Sequence, residues 1–147
     1  MNNMRKNFYV DANIFIFASV YPENDIKFKM AKKLLYMISE NKVDALTSCL
    51  TWDELIWIVR KIAGYDIAKI EGSKMLDIPN LSFIDVNEKI LREAQKIIEN
   101  HNLKPRDAIH AASALTSNAE IISNDPDFDV IKELKRVKVE EFDKLLR

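Results

Sequence analysis

In Asn7-Phe8-Tyr9-Val10-Asp11-Ala12-Asn13, a short apolar run meets two polar residues, and this junction indicates the architecture of the chain. Its first four residues predict a short buried strand that ends at Asp11, and the apolar run Ile14 to Val20 predicts a helix directly after it. Asp11 therefore lies at a junction between a strand and a helix. An aspartate in that position is a good helix cap, so this stretch alone leaves open whether the carboxylate serves the fold or a function.

Outward from this stretch, short apolar strands alternate with helices. Further strands are predicted over residues 44–47, 81–85, 120–122 and 136–139. Helices are predicted over residues 25–41, 50–63, 66–76, 88–100 and 105–115, and after the last strand. This alternation predicts an α/β fold with three α/β/α layers, in which a central, mostly parallel sheet of four or five strands carries helices on both faces. We expect residues 1–147 to form a single domain.

Two of the predicted helices carry expectations about burial. The run Leu55-Ile56-Trp57-Ile58-Val59 is apolar on all sides, which predicts a helix deep in the fold, and Gly64 is expected to end it. The helix over residues 88–100 is amphipathic. Its inward-facing residues are predicted to be Ile90, Leu91, Ala94, Ile97 and Ile98.

The composition limits the classes of function open to the chain. With 48% hydrophobic and 31% charged residues, the chain should be globular. A net charge of −1 gives no overall attraction to nucleic acid. Cys49 is the single cysteine, so no internal disulfide can form, and we expect it to be an inert buried thiol. We recognise no secretory signal and no run that spans a bilayer, so we expect a cytoplasmic protein that is not in a membrane.

Carboxylates are the functional groups that remain once familiar motifs are excluded. The sequence has no Gly-x-Gly-x-x-Gly, Gly-Lys-Ser/Thr or Gly-x-Ser-x-Gly motif, and it has two histidines. Asp11 follows the first strand, Glu54 comes after the second and Asp125 follows the fourth, so we expect all three at the carboxyl edge of the sheet. Clustered carboxylates indicate a hard divalent cation, Mg²⁺ or Mn²⁺, and an enzyme that acts on phosphates.

Four motifs at these positions resemble the PIN-domain ribonucleases. The motifs are Asp11-x-Asn13, Glu54 at the start of an apolar helix, Pro105-Arg106-Asp107-Ala108-Ile109-His110-Ala111-Ala112, and Ser123-Asn124-Asp125-Pro126-Asp127-Phe128. They span nearly the whole chain and stand in the order found in that family. The compact form is also similar to the VapC-type toxins of prokaryotic toxin–antitoxin pairs.

This resemblance implies a metal-dependent endoribonuclease that hydrolyses RNA with one or two Mg²⁺ or Mn²⁺ ions. The implied catalytic and metal-binding quartet is Asp11, Glu54, Asp107 and Asp125. Asn13 and Ser123 would give polar support, while Asp127 and Asp129 are added acids that could supplement or replace Asp125. The resemblance also implies a homodimer and a small antitoxin protein whose tail covers the site.

Several of the acids and cations keep a second interpretation. Thr51-x-x-Glu54 also fits a capping box, and Asp53 is an adjacent acid. Arg106, and more weakly Lys104 and Arg60, are predicted to contact a substrate phosphate or an antitoxin carboxylate. The alternative for these three cations is a solvated surface position.

Aromatic residues near the motifs have structural interpretations. His110 lies three residues after Asp107 on nearly the same helical face, and we predict a structural histidine more readily than a ligand. Trp52 and Trp57 are predicted to be core or dimer contacts more readily than platforms for base stacking.

Other functions stay open at this point. One is an RNA-processing or decay nuclease without an antitoxin, and another is a PIN domain that binds RNA or protein without cutting. A phosphatase-like enzyme that uses Asp11 as its nucleophile would usually need a second aspartate two residues later, where this chain has Asn13.

Overall fold

A parallel sheet lies between two layers of helices in the computed structural model, which describes residues 5–146 and the side chains of residues 5–144. Within those residues, five strands follow the order β3-β2-β1-β4-β5. The strands are β1 Asn7–Val10, β2 Asp44–Ser48, β3 Leu81–Ile84, β4 Glu120–Ile122 and β5 Arg136–Val137. The helices are α1 Ala12–Val20, α2 Ile26–Ser39, α3 Cys49–Ala63, α4 Tyr65–Leu76, α5 Glu88–His101 and α6 Pro105–Thr116. The predicted three-layer α/β/α fold is confirmed.

Strand β1 separates the two cores of the molecule. Phe8 and Val10 point into a core formed with helices α1 to α4, whereas Tyr9, between them, points into a core formed with α5 and α6. This alternation follows from the two-residue period of a strand. Strand β1 is central and covered on both faces. A strand of this kind has apolar residues on both sides, so the continuous apolar run predicts it correctly.

The topology places the ends of β1 and β4 at a switch point. The chain adds β2 and then β3 on one side of β1, and later adds β4 and β5 on the other side. Phe8 is in register with Ala45 of β2 and with Glu120 of β4. Ligand sites in open parallel sheets lie in the crevice beyond the carboxyl ends of such strands. Asp11 and Ser123 are the first residues after β1 and β4.

Helix α3 is not deep in the fold, so that prediction is wrong. Its buried residues are Thr51, Leu55 and Val59, which face the core, while the Trp57 side of the helix lies at the surface with 44% of that residue exposed. Ile62, near the end of the helix, is 63% exposed. The run is apolar all round, but only one face of it packs on α1 and α4.

Two further burial predictions fail for geometric reasons. Leu91 is 48% exposed, because the inward stripe of α5 is Ile90, Ala94 and Ile97, with Ile98 partly buried beside it. Cys49 is exposed, since it is the first residue of α3 at the end of the sheet.

Asparagines take the left-handed backbone positions that glycine often fills. Gly64 has φ 89° and ends α3 as predicted. The other residues with positive φ in the described part are Asn41, Asn80, Asn102 and Asn118. Asparagine tolerates this region better than most residues with a side chain, so a chain with two glycines can still end helices tightly.

Across residues 5–146, no helix combines the length and the apolar character that crossing a membrane requires.

Helix α6 approaches the sheet through small residues, and enlarging one of them should destabilise the fold. Ala108, Ala111, Ala112 and Ala114 are fully buried. We expect Ala112→Leu to lower the free energy of unfolding by about 1–3 kcal/mol, because added methylenes strain a packed core. The control is Ala63→Leu, at an exposed helical alanine, where we expect a change within about 0.5 kcal/mol. Urea unfolding measures both, and equal effects would contradict the packing account.

Candidate active site

The four predicted acids stand on four different segments that lead to the carboxyl edge of the sheet. Asp11 caps α1, and its Oδ1 accepts a hydrogen bond of 2.7 Å from the N–H of Ala12. Glu54 is on α3 and Asp107 is in the first turn of α6. Asp125 caps a short 3-10 helix, Pro126–Val130, and accepts a bond of 2.9 Å from the N–H of Asp127. Capping therefore accompanies the placement of Asp11 and Asp125 at this edge.

The capping-box interpretation of Glu54 is wrong. Helix α3 begins at Cys49, so Thr51 is already inside it and fully buried. Oγ1 of Thr47 donates a hydrogen bond of 2.9 Å to the carbonyl of Val10, and it accepts from the hydroxyl of Thr51, whose Oγ1 lies 2.7 Å away. This hydroxyl pair ties the start of α3 to the end of β1.

Ser123 joins three of the polar residues around β1 and β4. Its buried hydroxyl donates to Oδ2 of Asp11 at 2.7 Å. It also accepts from Nδ2 of Asn13 at 3.2 Å and from the N–H of Asp125 at 3.1 Å. The structure thus brings Asn13, Ser123 and Asp11 together, with the backbone of Asp125 alongside.

Glu54 is held by the histidine of α6. Oε1 of Glu54 lies 2.9 Å from Nε2 of His110, which is also 3.6 Å from Oδ1 of Asp11. On the opposite side of the ring, Nδ1 of His110 lies 2.7 Å from the hydroxyl of Tyr9. His110 is fully buried, as expected for a structural histidine, yet it contacts two of the four acids.

The potential ligand atoms form two neighbouring groups. One consists of atoms from Asp11, Glu54 and His110, and the other of atoms from Asp107, Asp125 and Asp127; within each group the atoms lie within 4.8 Å of one another. Asp127 is exposed. Oxygen ligands from several segments at this spacing could hold a divalent cation.

Charges in the two groups influence one another. Burial raises the pKa of Asp107 to about 6, and the charges of Asp125, Asp11 and Glu54 add to that rise while His110 opposes it. Burial also raises the pKa of Asp11, against the opposing effects of His110 and the bond from Ser123. A bound cation would lower the pKa of both carboxyls again, since a nearby opposite charge favours the ionised form.

The neighbouring carboxylates raise the pKa of His110. Burial by itself would lower the pKa of His110, but its hydrogen bond to Glu54 and the charges of Asp11 and Glu54 outweigh burial, and the net direction is upward. Asp11 and Glu54 therefore favour the protonated form of the imidazole.

A cavity of about 540 Å³ opens beside the acids. Its lining includes Glu54, Asp107, Asp125, Lys104, Arg106 and Trp57. Arg106 also lies 3.8 Å from Asp53. Arg60 does not line this cavity in the part of the chain that the structure describes; its guanidinium lies 5.2 Å from the ring centroid of Trp57.

Trp57 was predicted to be a core or dimer contact; it lines the cavity and is 44% exposed, so a core position is wrong and a dimer contact stays a prediction. No direct signal in the sequence marks this position, because its immediate neighbours are apolar. A helical wheel that aligned Trp57 with Glu54, three residues earlier, would have placed both on the same face.

Asp129 and Asn124 have structural partners away from the cluster. The carboxylate of Asp129 accepts two bonds from the guanidinium of Arg136, at 2.8 and 2.9 Å. Asn124 donates to Glu140 at 2.6 Å and accepts from the N–H of Val139 at 2.9 Å, which anchors the 3-10 helix Val139–Leu146. Asp129 thus pairs with a cation and is not in either group of potential ligands.

Neutralising Asp107 should stabilise the metal-free protein at neutral pH. The carboxyl has an ordinary pKa of 3.8 and a folded value of about 6, so the stability linked to its protonation is complete below 3.8 and lost as the pH rises through about 6. We expect Asp107→Asn, in EDTA, to melt above wild type at about pH 7.5, with the difference disappearing under acid conditions.

Asp129→Asn provides the opposite control, because the hydrogen bond from Arg136 lowers the pKa of that carboxyl. It should not raise the melting temperature at neutral pH. A gain in Asp129→Asn equal to that in Asp107→Asn, measured by scanning fluorimetry, would contradict the crowding of charge at Asp107.

Solved structures with the same fold include several toxin proteins. "VapBC2 from Rickettsia felis", bound to a promoter DNA fragment, matches with a TM-score of 0.70 and 20% identity over 90% of this chain and 98% of that chain. A toxin–antitoxin complex from Klebsiella pneumoniae matches with a TM-score of 0.61 and 22% identity over 89% of this chain and 96% of that chain. VapC20 of Mycobacterium tuberculosis is described as a sarcin-ricin loop cleaving toxin. It matches with a TM-score of 0.66 and 16% identity over 84% of this chain and 93% of that chain. At these identities the likeness concerns the fold.

The sequence itself identifies the family. No curated protein matches it closely enough to count as a relative. The family model of the PIN domain matches residues 8–134, a range that contains all four acids, the polar residues around them and the fold from Phe8 of β1 to the 3-10 helix Pro126–Val130, but not β5. The chain belongs to the PIN-domain family.

Proposed function

We propose that the chain is a divalent-metal-dependent endoribonuclease that hydrolyses RNA phosphodiester bonds, and that it is the toxin of a toxin–antitoxin pair. The main support for the nuclease is that Glu54, Asp107 and Asp125 line one cavity, while the charge of the buried Asp11 adds to the rise in the pKa of Asp107. Like charges gathered in this way raise one another's pKa, a cost usually associated with function.

Mg²⁺ or Mn²⁺ is the proposed cofactor, because the four acids supply oxygen ligands only. Asp11, Glu54, Asp107 and Asp125 would hold it, and when bound it would supply an activated water and stabilise charge on the phosphate. Ser123 fixes the carboxylate of Asp11, with Asn13 beside it. Asp127 is proposed as a supporting acid of the Asp107 group.

The cationic side of the cavity fits a phosphate backbone. Lys104 and Arg106 both line it, together with the carboxylates of Glu54, Asp107 and Asp125. We propose that these two cations bind the phosphates on either side of the scissile bond. Such local cations are needed because the net charge of the chain, −1, gives no overall attraction to a polyanion. Arg60 is a weaker candidate, since it stacks near Trp57 outside the lining. RNA as substrate is supported by the resemblance and by the description of VapC20.

An antitoxin partner is supported by the structural relatives and by a groove on the opposite side of α3. An apolar cleft of about 430 Å³ lies between α1, α2 and α4. Its apolar lining includes Phe15, Leu35, Tyr36, Leu55, Met75 and Ile78. Grooves of this kind take the apolar face of an amphipathic helix. A small gene for a DNA-binding antitoxin beside the gene for this chain is the expected genomic context.

Cleavage of RNA tests the proposed function. With Mg²⁺ or Mn²⁺ we expect wild type to cut a labelled single-stranded RNA pool. Asp11→Asn and Asp107→Asn should each slow cutting by more than the ~10- to 100-fold typical of losing a group that merely supports a metal ligand. Asp85→Asn is the control, because Asp85 follows β3 and is exposed, and it should cut like wild type.

The same variants separate the outcomes. Folded wild type, free of any antitoxin, that cuts no RNA in the presence of either metal would contradict the nuclease and favour a binding domain. Cutting that persists in EDTA would contradict the metal dependence.

We also propose a homodimer that forms through the α3–α4 hairpin. Ile62, Tyr65, Ile70 and Leu76 are large apolar residues exposed on these two helices, and monomers rarely expose large apolar patches without a partner. We expect sedimentation to report a dimer for wild type and a monomer for Ile62→Glu. Val130→Glu, at an exposed apolar residue elsewhere, should remain dimeric. A monomeric wild type would contradict the proposal.

A further inference from the structure

His110 is the buried group of the site that the acidic quartet leaves without a role. Its side chain is fully buried, and both ring nitrogens have partners. Nε2 lies 2.9 Å from Oε1 of Glu54. Since an ionised carboxylate only accepts hydrogen bonds, Nε2 carries the proton and donates it in this contact.

The other side of the ring is fixed by a buried chain of hydroxyls. The hydroxyl of Tyr9 lies 2.7 Å from Nδ1 of His110 and 2.8 Å from Oγ of Ser48. Tyr9 is in the central strand β1, Ser48 ends β2, and His110 is on α6. All three are fully buried, so the ring is held by three elements of the scaffold and cannot rotate without leaving a polar group unpaired.

We propose that His110 and Tyr9 are positioning residues for the metal site. Tyr9 fixes the imidazole, and Nε2 of His110 holds the carboxylate of Glu54 beside Asp11, whose Oδ1 lies 3.6 Å from the same nitrogen. The inference rests on the metal site of the proposed function. Glu54 needs such support because it extends from the partly exposed flank of α3, and its three side-chain torsions would otherwise be free to turn the carboxylate away from Asp11.

Direct coordination by His110 is the competing role, since its Nε2 lies within 4.8 Å of ligand atoms of Asp11 and Glu54. A nitrogen that donates its proton to a carboxylate has no lone pair for an ion. The contact with Glu54 and the second contact at Nδ1 together favour the positioning role. Groups that orient metal ligands in this way affect metal affinity nearly as strongly as some ligands do.

Mn²⁺ binding, followed by the electron paramagnetic resonance of the free ion, tests the inference without requiring activity. We expect His110→Leu to weaken Mn²⁺ binding by about 10- to 100-fold. His110→Gln should recover part of the affinity, because its amide N–H can reach Glu54. Tyr9→Phe should weaken binding by less than His110→Leu, since it frees the ring but leaves the donor in place.

Ser113→Ala is the matched control. Ser113 is buried on the same helix, one turn after His110, and its hydroxyl has no hydrogen-bond partner among the described residues. It should bind Mn²⁺ like wild type. Circular dichroism establishes that each variant is folded, and Tyr9→Phe and His110→Gln keep the test decisive should His110→Leu fail to fold.

Electron spin-echo spectroscopy of bound Mn²⁺ distinguishes positioning from coordination. We expect no directly coordinated nitrogen in wild type, and finding one would overturn the positioning role. The positioning role would also be overturned if His110→Gln and Tyr9→Phe both bound Mn²⁺ with the affinity of wild type. For that outcome, His110→Leu would either bind like wild type as well or fail to fold. Wild type that binds no Mn²⁺ would overturn the proposed metal site itself, a result that is distinct from the failure of His110 alone.

Discussion

Repulsion among the carboxylates at the end of β1 and β4 is the constraint that the surrounding structure must satisfy. Burial raises the pKa of Asp11 and of Asp107, and the charges of neighbouring carboxylates add to both rises. Hydrogen bonds to Asp11 offset part of that cost. The hydroxyl of Ser123 and the N–H of Ala12 each donate to Asp11, one to each carboxylate oxygen.

The scaffold supplies rigidity where the charges meet. Asp11 and the start of α3 are tied to strand ends by short bonds, and α6 comes close enough for His110 to reach Glu54 because its buried face is built from alanines. Tight helix ends at asparagine and at Gly64 keep the connections short. A fold that holds its acids this firmly orders them before any ion or substrate arrives, so little ordering entropy remains to be lost on binding.

Much of this arrangement could be predicted from the sequence, and the failures have physical causes. Strand β1 and its acid were predictable because a buried parallel strand is a short apolar run that ends abruptly at a polar residue. The convergence of the acids followed from topology, since parallel strands end at one edge. Residue spacing could not show that α3 has a surface face, because exposed and buried apolar residues look alike in sequence and the difference depends on what packs against them.

Contacts between distant segments were beyond sequence reasoning. Nothing in the spacing of Tyr9, Ser48 and His110 shows that their side chains meet, because they come from two strands and a helix far apart in the chain. The role of Asp129 was also unpredictable, since its bond to Arg136 depends on where β5 joins the sheet. Local signals misled at Glu54, where a capping-box pattern fell two residues inside a helix that had already begun.

Anomalous scattering from a crystal of the protein soaked in Mn²⁺ would show whether the acidic cluster binds a divalent cation. We expect a strong anomalous peak bounded by the carboxylates of Asp11, Glu54, Asp107 and Asp125, at the carboxyl edge of β1 and β4. Saturating Mn²⁺ with no peak at that edge, or with its strongest peak at acids elsewhere on the surface, would contradict the claim that this cluster is a metal site.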